Sequence, residues 1–230
     1  MRVIELNRSV TESNDRDADA LRARMKERGT LLINLMSAPG SGKTTLLSRT
    51  ITDLKDEMKI GVMEADIASD VDALRIESLG AKAIQAHTGG MCHMDAGMTR
   101  RALDELEDGL GDKLGDRVGD ERLDLIFLEN VGNLICPAEF DTGAEKNVMI
   151  LSVPEGDEKP LKYPLMFEKS DVLVITKMDT LAYFDFDLET CITRVRQLNP
   201  QIQIFPLSAV TGEGCEAWEN WLRESRGVRA

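Results

Sequence analysis

The chain lacks a long apolar run. No uninterrupted stretch of strictly apolar residues exceeds four, against the roughly 20 that a bilayer-spanning helix needs. The opening MRVIELNRSV also lacks the hydrophobic centre of a signal peptide, so a cytoplasmic location with no membrane partner is expected. Positive charge is in deficit: 28 Lys+Arg against 41 Asp+Glu leave a net charge of −13. Such a surface repels phosphate backbones and anionic lipid, which argues against nucleic-acid binding. Cysteine is scarce too. Four in 230 residues do not make a disulfide framework, and a reducing compartment keeps them as thiols. A cysteine with a special role here is a metal ligand or a nucleophile. No repeat of solenoid length is visible.

What is present is alternation. Strand-sized apolar bursts occur at Leu31–Met36, Ile60–Glu64, Ala83–Ala86, Leu123–Leu128, Val148–Val153, Val172–Thr176 and Ile202–Leu207. Between them Lys43–Glu57, Asp70–Leu79, Met94–Asp108, Phe186–Leu198 and Gly214–Glu224 carry helical spacing. The pattern predicts a three-layer α/β fold, a mainly parallel sheet of about seven strands with helices on both faces. The expected division is a lead-in over 1–29, one nucleotide-binding domain over 30–226 and a short tail at 227–230. In the lead-in, Leu21 and Met25 mark one face of a helix over Asp17–Arg28, with Gly29 as its stop. Gly109–Asp120, GLGDKLGDRVGD, breaks the alternation and reads as a solvated acidic loop; its carboxylates lack the every-second-residue spacing of a calcium loop.

Directly after the strand LLINLM stands Ser37-Ala38-Pro39-Gly40-Ser41-Gly42-Lys43-Thr44-Thr45, and an apolar helix follows. This is the order of a phosphate loop (P-loop), and it places the fold among P-loop NTPases. Backbone N–H groups of Gly40, Ser41 and Gly42 can turn inward around phosphate, Lys43 reaches the β/γ oxygens, and Thr44, with Thr45 beside it, opens the helix and offers a hydroxyl to Mg²⁺. Ser37 stands where the motif usually has its first glycine. After LDLIFL come Glu129-Asn130-Val131-Gly132: an acid at a strand end to hold Mg²⁺, and a glycine three residues later that lets the backbone approach a γ-phosphate. Asp66, ending Glu64-Ala65-Asp66, is the second magnesium candidate. Lys43, Asp66 and Glu129 are thus the residues expected to serve hydrolysis.

Thr176-Lys177-Met178-Asp179 follows the strand VLVI. A carboxylate there can accept the ring N–H and the exocyclic amine of guanine, whereas adenine offers one suitable donor, so guanine is favoured. Thr176 departs from the usual Asn of this motif. Ser208 and Ala209, after the last strand, can present a backbone N–H to guanine O6. An ATP-dependent ligase or partition-type ATPase would have no use for Thr176–Asp179.

The cysteines divide. Cys191 lies among Leu188, Ile192 and Val195 on a predicted helix and reads as a small apolar residue, and Cys215 opens the last helix; neither is assigned a function. Cys92 and His93 sit together in the turn Thr88–Asp95, and Cys136 follows Gly132 by four residues. Thiolate and imidazole suit zinc, nickel or copper, and three such ligands are one short of a closed structural zinc site. Consecutive side chains diverge in extended chain, which makes Cys92 and His93 awkward partners on one ion within one chain. Two copies sharing one or two ions across a symmetric contact is the expected remedy. A non-catalytic metal-binding protein would need only these three residues.

Taken together, LMSAPGSGKTTLL, EADIASDVDALRI, TGGMCHMDAGM, ENVGNLICPAEFD, LSVPEGDEKPLKYPLMF and ITKMD resemble the hydrogenase nickel-incorporation GTPases (HypB family) of the nickel-metallochaperone branch. The likeness runs from about Arg22 to Trp221. It implies GTP hydrolysis, GTP-promoted homodimerisation, nickel or zinc held by Cys92, His93 and Cys136 at the subunit contact, and Mg²⁺ with the nucleotide; slow turnover is expected because the sequence places no obvious glutamine or arginine to activate the water. It also implies collaboration with the nickel carrier HypA and, indirectly, with the hydrogenase large-subunit precursor. The related urease nickel GTPases have a Cys-Pro-His turn, and no proline separates Cys92 from His93. The N-terminal cysteine motif or histidine tract of some members is missing from this sequence, so their high-affinity nickel site is not carried over.

If Asp179 reads guanine, Asp179→Asn loses a paired polar contact, which costs on the order of 2–4 kcal/mol, or about 30- to 1000-fold in GTP affinity. Xanthosine triphosphate, whose ring offers an acceptor to the new amide, should bind better. Unchanged GTP affinity in a nucleotide titration would remove the guanine assignment.

Overall fold

Segments apolar on both faces are satisfied only in a sheet that is covered on both sides. The computed structural model describes residues 6–65, 70–108 and 122–227, and these segments form such a sheet. In chain order the first elements are α1 (Leu6–Arg28), β1 (Leu31–Ser37), α2 (Lys43–Leu54), β2 (Ile60–Glu64), α3 (Asp70–Ser78), β3 (Lys82–Gln85) and α4 (Ala96–Asp108). Then follow β4 (Leu125–Glu129), α5 (Cys136–Glu139), β5 (Lys146–Ser152), α6 (Lys159–Lys162) and α7 (Pro164–Glu168). The last are β6 (Val172–Thr176), α8 (Leu188–Leu198), β7 (Gln203–Pro206) and α9 (Cys215–Gly227). Asp66 and the Gly-Asp segment 109–120 lie outside the described residues.

The strand order is β3-β2-β4-β1-β5-β6-β7, and every pairing is parallel. The three-layer expectation is met. Because side chains alternate along a strand, each strand feeds two cores. Leu31, Ile33 and Leu35 of β1 face a cluster closed by Leu46, Leu47 and Ile51 of α2 and by Trp218 and Leu222 of α9. On the opposite face Leu32 joins Leu21 and Met25 of α1 and Leu103 and Leu106 of α4, while Met149, Leu151, Leu173 and Ile175 pack on Met166, Phe167, Cys191 and Val195. Cys191 and Cys215 are both buried in these cores, the place expected for small apolar residues, and burial pushes the Cys191 thiol up to about 12.

Strands β4 and β5 flank β1 on opposite sides, so the chain reverses its direction of travel across the sheet there. The crevice at the carboxyl end of such a strand is where open α/β sheets take ligands, and the P-loop leaves β1 at that point. β4 stands beside it in register, with Leu35 opposite Glu129.

Helix α1 is longer than its apolar periodicity predicts. Among the residues of α1 whose side chains are described, the apolar stripe is Ala18, Leu21 and Met25, each at most 2% exposed. Asn14, before that stripe, is held by specific bonds instead: its Nδ2 donates to the Asp141 carbonyl at 2.8 Å, and its Oδ1 accepts the Ala96 N–H at 3.0 Å. Arg22 adds two bonds to the Asp141 carboxylate at 2.8 and 2.9 Å, and Arg24 binds Asp104 and Glu107 at 2.6 and 2.7 Å. The short elements α5, α6 and α7, at four or five residues each, leave too little sequence for a period to register.

Gly143 sits where α1 docks. It has φ +78°, and a Cβ there would lie 2.8 Å from Leu21 Cδ2 and 3.0 Å from Leu21 Cβ. Gly143→Ala adds left-handed backbone strain, about 1–2 kcal/mol, to overpacking of about 1–3 kcal/mol. Thermal unfolding should fall by roughly 5–15 °C. A melting temperature equal to that of the unsubstituted chain would show that α1 is not held at this contact.

Candidate nucleotide and metal site

The P-loop is pinned from three sides. At its own base, Ser37 Oγ donates to the Ala38 carbonyl at 2.8 Å and accepts Lys43 Nζ at 3.0 Å. Serine at the first-glycine position is thus a hydroxyl that holds the lysine. Ser41 Oγ donates to the Ala38 carbonyl at 2.9 Å. Lys43 is only 5% exposed, so its ammonium is held inside the loop rather than presented to solvent as a free surface cation. Gly42 precedes α2 and has no side chain to cap it, which leaves the first-turn N–H groups of the helix, including those at Thr44 and Thr45, to an anion.

From the β6 side, Thr176 Oγ1 donates to the Ser41 carbonyl at 2.6 Å and Lys177 Nζ donates to the Gly40 carbonyl at 2.7 Å. The sequence places both residues in the guanine-reading segment, with Lys177 beside Asp179 at the base; their hydrogen bonds also tie that segment to the phosphate loop. A hydroxyl suffices for that bond, which accounts for threonine where the motif has asparagine. Lys177 takes a left-handed conformation, φ 60°, a strained state for a side chain of this size. Thr180 N–H to the Lys177 carbonyl at 2.9 Å and Met178 N–H to the Leu207 carbonyl at 3.2 Å hold it there. Ser208 also has a bond that the sequence did not suggest: its hydroxyl donates to Asp179 Oδ1 at 2.6 Å, fixing the carboxylate while the adjoining Ala209 carries the loop onward.

From the β4 side come Glu129 and Gly132. The Thr44 hydroxyl donates to Glu129 Oε1 at 3.4 Å, so the two bring a hydroxyl and a carboxylate to one place, the oxygen donors that suit Mg²⁺. Three residues on, the chain runs against the P-loop itself: a Cβ on Gly132 would stand 3.0 Å from Pro39 Cγ and 3.2 Å from Pro39 N. A side chain there would crowd Pro39, which glycine avoids.

Cys92, His93 and Cys136 converge, with ligand atoms all within 4.8 Å of one another. Cys92 Sγ lies 2.8 Å from Cys136 Sγ and 3.8 Å from His93 Nδ1. The expectation that adjacent side chains diverge is therefore not met. The turn is irregular rather than extended, and the His93 ring stacks on Phe140, centroids 3.8 Å apart and 13° from parallel, which turns its edge toward the sulfurs. Burial lowers the His93 pKa against the pull of Asp95 and Glu139, favouring the neutral imidazole that binds metals. The bond with Cys92, then burial, raises the Cys136 thiol, while Asn133 Nδ2 at 3.5 Å lowers it. Phe140, Asn133 and Asn130 belong to this site and escaped sequence reasoning; the only signal was their closeness in sequence to Cys136.

The profile of the CobW/HypB/UreG nucleotide-binding domain matches residues 31–206. Over 228 residues the chain is 44% identical to "Hydrogenase maturation factor HypB" of Azotobacter chroococcum, covering 99% of this chain and 71% of that one. This chain belongs to the HypB family. The HypB crystal structure from Archaeoglobus fulgidus superposes with a TM-score of 0.83 at 37% identity, covering 94% of this chain and 99% of that one. That of Helicobacter pylori HypB, in complex with nickel, gives 0.84 at 38%, covering 93% and 95%. Membership makes the fold that of a nucleotide-binding P-loop protein, and among the described residues no helix is long and apolar enough to cross a membrane.

If Lys43 meets the nucleotide phosphates, removing its ammonium deletes a charged contact worth about 1.5–3 kcal/mol. Lys43→Ala should weaken GTP about 10- to 150-fold and abolish phosphate release while keeping the native circular dichroism spectrum. Hydrolysis at the unsubstituted rate would overturn the assignment of the loop.

Proposed function

We propose that this chain is a GTP-hydrolysing metallochaperone that binds nickel or zinc at a nucleotide-controlled site and assists nickel insertion into [NiFe]-hydrogenase. The observation that carries the reading is one of connection. Cys136 stands on the segment whose Gly132 packs on Pro39 of the P-loop, and its sulfur meets Cys92 and His93.

In this reading Gly40, Ser41, Gly42, Lys43, Thr44 and Thr45 hold the phosphates, and Asp179, set by Ser208, reads guanine with the backbone at Ala209. Thr176 and Lys177 keep the loop in shape for the phosphates. Thr44, Asp66 and Glu129 hold Mg²⁺, which when bound neutralises charge on the β- and γ-phosphates. Arrival of the γ-phosphate presses on Gly132, and the shift passes along Asn133–Ile135 to Cys136. The metal is cargo, held by two thiolates and one neutral imidazole, and released when Cys136 moves relative to the other two. Three ligands leave a position open for a second copy of the chain or for the carrier HypA. A GTP-promoted homodimer, a HypA partner, a hydrogenase large-subunit precursor as indirect recipient and a cytoplasmic setting complete the proposal.

Coupling between nucleotide and metal of roughly 1–3 kcal/mol gives about a 5- to 150-fold difference in metal affinity between the GDP and GTP-analogue states. Nickel and zinc titrations in both states should show it, Cys136→Ala should shrink it, and phosphate release from GTP should accompany it. Equal affinities in the two states of the unsubstituted chain would refute the control, even with Cys92 and His93 as ligands.

A further inference from the structure

Between the two halves of the metal site lies a buried asparagine that the mechanism above does not use. Asn130 is 0% exposed and directly follows Glu129 at the end of β4. Its Oδ1 accepts two main-chain N–H groups, from Met94 at 3.1 Å and from Val131 at 2.9 Å. Its Nδ2 donates to Asn34 Oδ1 at 3.1 Å. Asn34, 1% exposed, lies on β1 three residues before Ser37, and its own amide donates to Asn147 Oδ1 on β5 at 3.0 Å, its partner in register. Two donors facing one side-chain oxygen fix which way the Asn130 amide points.

Met94 is the residue after His93, and Val131 is the residue before Gly132. One oxygen atom therefore fastens the turn bearing Cys92 and His93 to the segment bearing Cys136, and the chain of amides behind it anchors that oxygen to β1 and β5, beside the P-loop. On the solvent side the same turn has a different fastening, Asn14 of α1, which accepts the Ala96 N–H at 3.0 Å and donates to the Asp141 carbonyl at 2.8 Å. Asn14 also ties the two halves together, but none of its bonds reaches the nucleotide side.

We infer that Asn130 is the positioning residue through which the nucleotide sets the distance between Cys92–His93 and Cys136. The inference rests on the proposed nucleotide control of the metal site and names the bond that transmits it. When Gly132 moves against Pro39, Val131 N–H moves with it, and the oxygen it shares with Met94 N–H must follow or release one of the two donors. A buried N–H without a partner costs free energy, so the two arrangements are discrete rather than graded. Linkage makes the effect reciprocal: metal drawing Cys92 and Cys136 together biases the position of Gly132 and hence the GTP/GDP preference.

The test is a nickel(II) titration of the full chain, of Asn130→Ala and of Asn14→Ala, each with GDP and with a non-hydrolysable GTP analogue. The unsubstituted chain should show a ratio of metal affinities of about 5- to 150-fold between the two states. Asn130→Ala should bring it within about two-fold, while Asn14→Ala, which loosens the same turn from outside, should keep it even if both affinities fall. A ratio of one in the unsubstituted chain overturns the nucleotide-control reading and this inference together. A normal ratio there that survives in Asn130→Ala, or that is lost equally in Asn14→Ala, overturns this inference alone. Because Asn130→Ala leaves three buried polar partners behind and can unfold the chain, amide hydrogen exchange of Met94 in the unsubstituted chain is measured as well. Its protection should differ at least several-fold between the two nucleotide states, and equal protection overturns the inference.

Discussion

Contact between Gly132 and Pro39 is the constraint on which the rest of the site depends. Two stretches of main chain, one leaving β1 and one leaving β4, approach closely enough that a Cβ on Gly132 would stand 3.2 Å from the Pro39 nitrogen. The Pro39 ring and main chain both border Gly132, and packed protein interiors leave little slack at such a contact. The proposed link between the candidate metal triad and the nucleotide rests on this contact. Cys136 is four residues beyond the contact, α5 begins at Cys136, and Phe140 at the end of that short helix holds the His93 ring.

A contact of this kind is useful only if the P-loop itself stays put, and the polar bonds around it serve that end. Thr176 and Lys177 take hold of the Ser41 and Gly40 carbonyls, tying the β6 exit to the phosphate loop, while Ser37 holds Lys43 from within. The β6 exit and the P-loop are thereby one braced unit. The Thr176–Ser41 and Ser37–Lys43 bonds are buried, unlike the half-exposed ion pairs between α1 and α4, and so are less weakened by competing water and salt.

Much of this was legible in the sequence. β2 and β6 begin and end at Ile60–Glu64 and Val172–Thr176, as their apolar bursts predict, because a strand covered on both faces has no other composition open to it. The P-loop was legible because phosphate chemistry demands glycines and a lysine in fixed order directly after a strand. The first half of α1 was not, since a polar helix held by Asn14 has no periodic stripe. Nor were the roles of Thr176, Lys177 and Ser208 as braces, because a motif names the residues at a ligand and is silent on what they bind among themselves.

By itself the sequence determined the layers of the fold, the order of strands and helices, the place of the phosphate loop, and the identities of the three metal-binding candidates. Only the tertiary structure decided that Cys92, His93 and Cys136, 44 residues apart at the extremes, bring their ligand atoms within 4.8 Å of one another. The sequence pointed to divergence of the adjacent pair, and stacking of His93 on a phenylalanine from another element reversed it. Only the tertiary structure placed Asn34 of β1, Asn147 of β5 and Asn130, just beyond β4, in hydrogen-bonding distance. The physical reason is common to both cases. Local propensity and periodicity act over a few residues, whereas the direction of a buried polar side chain is set by whichever partner the sheet register brings beside it.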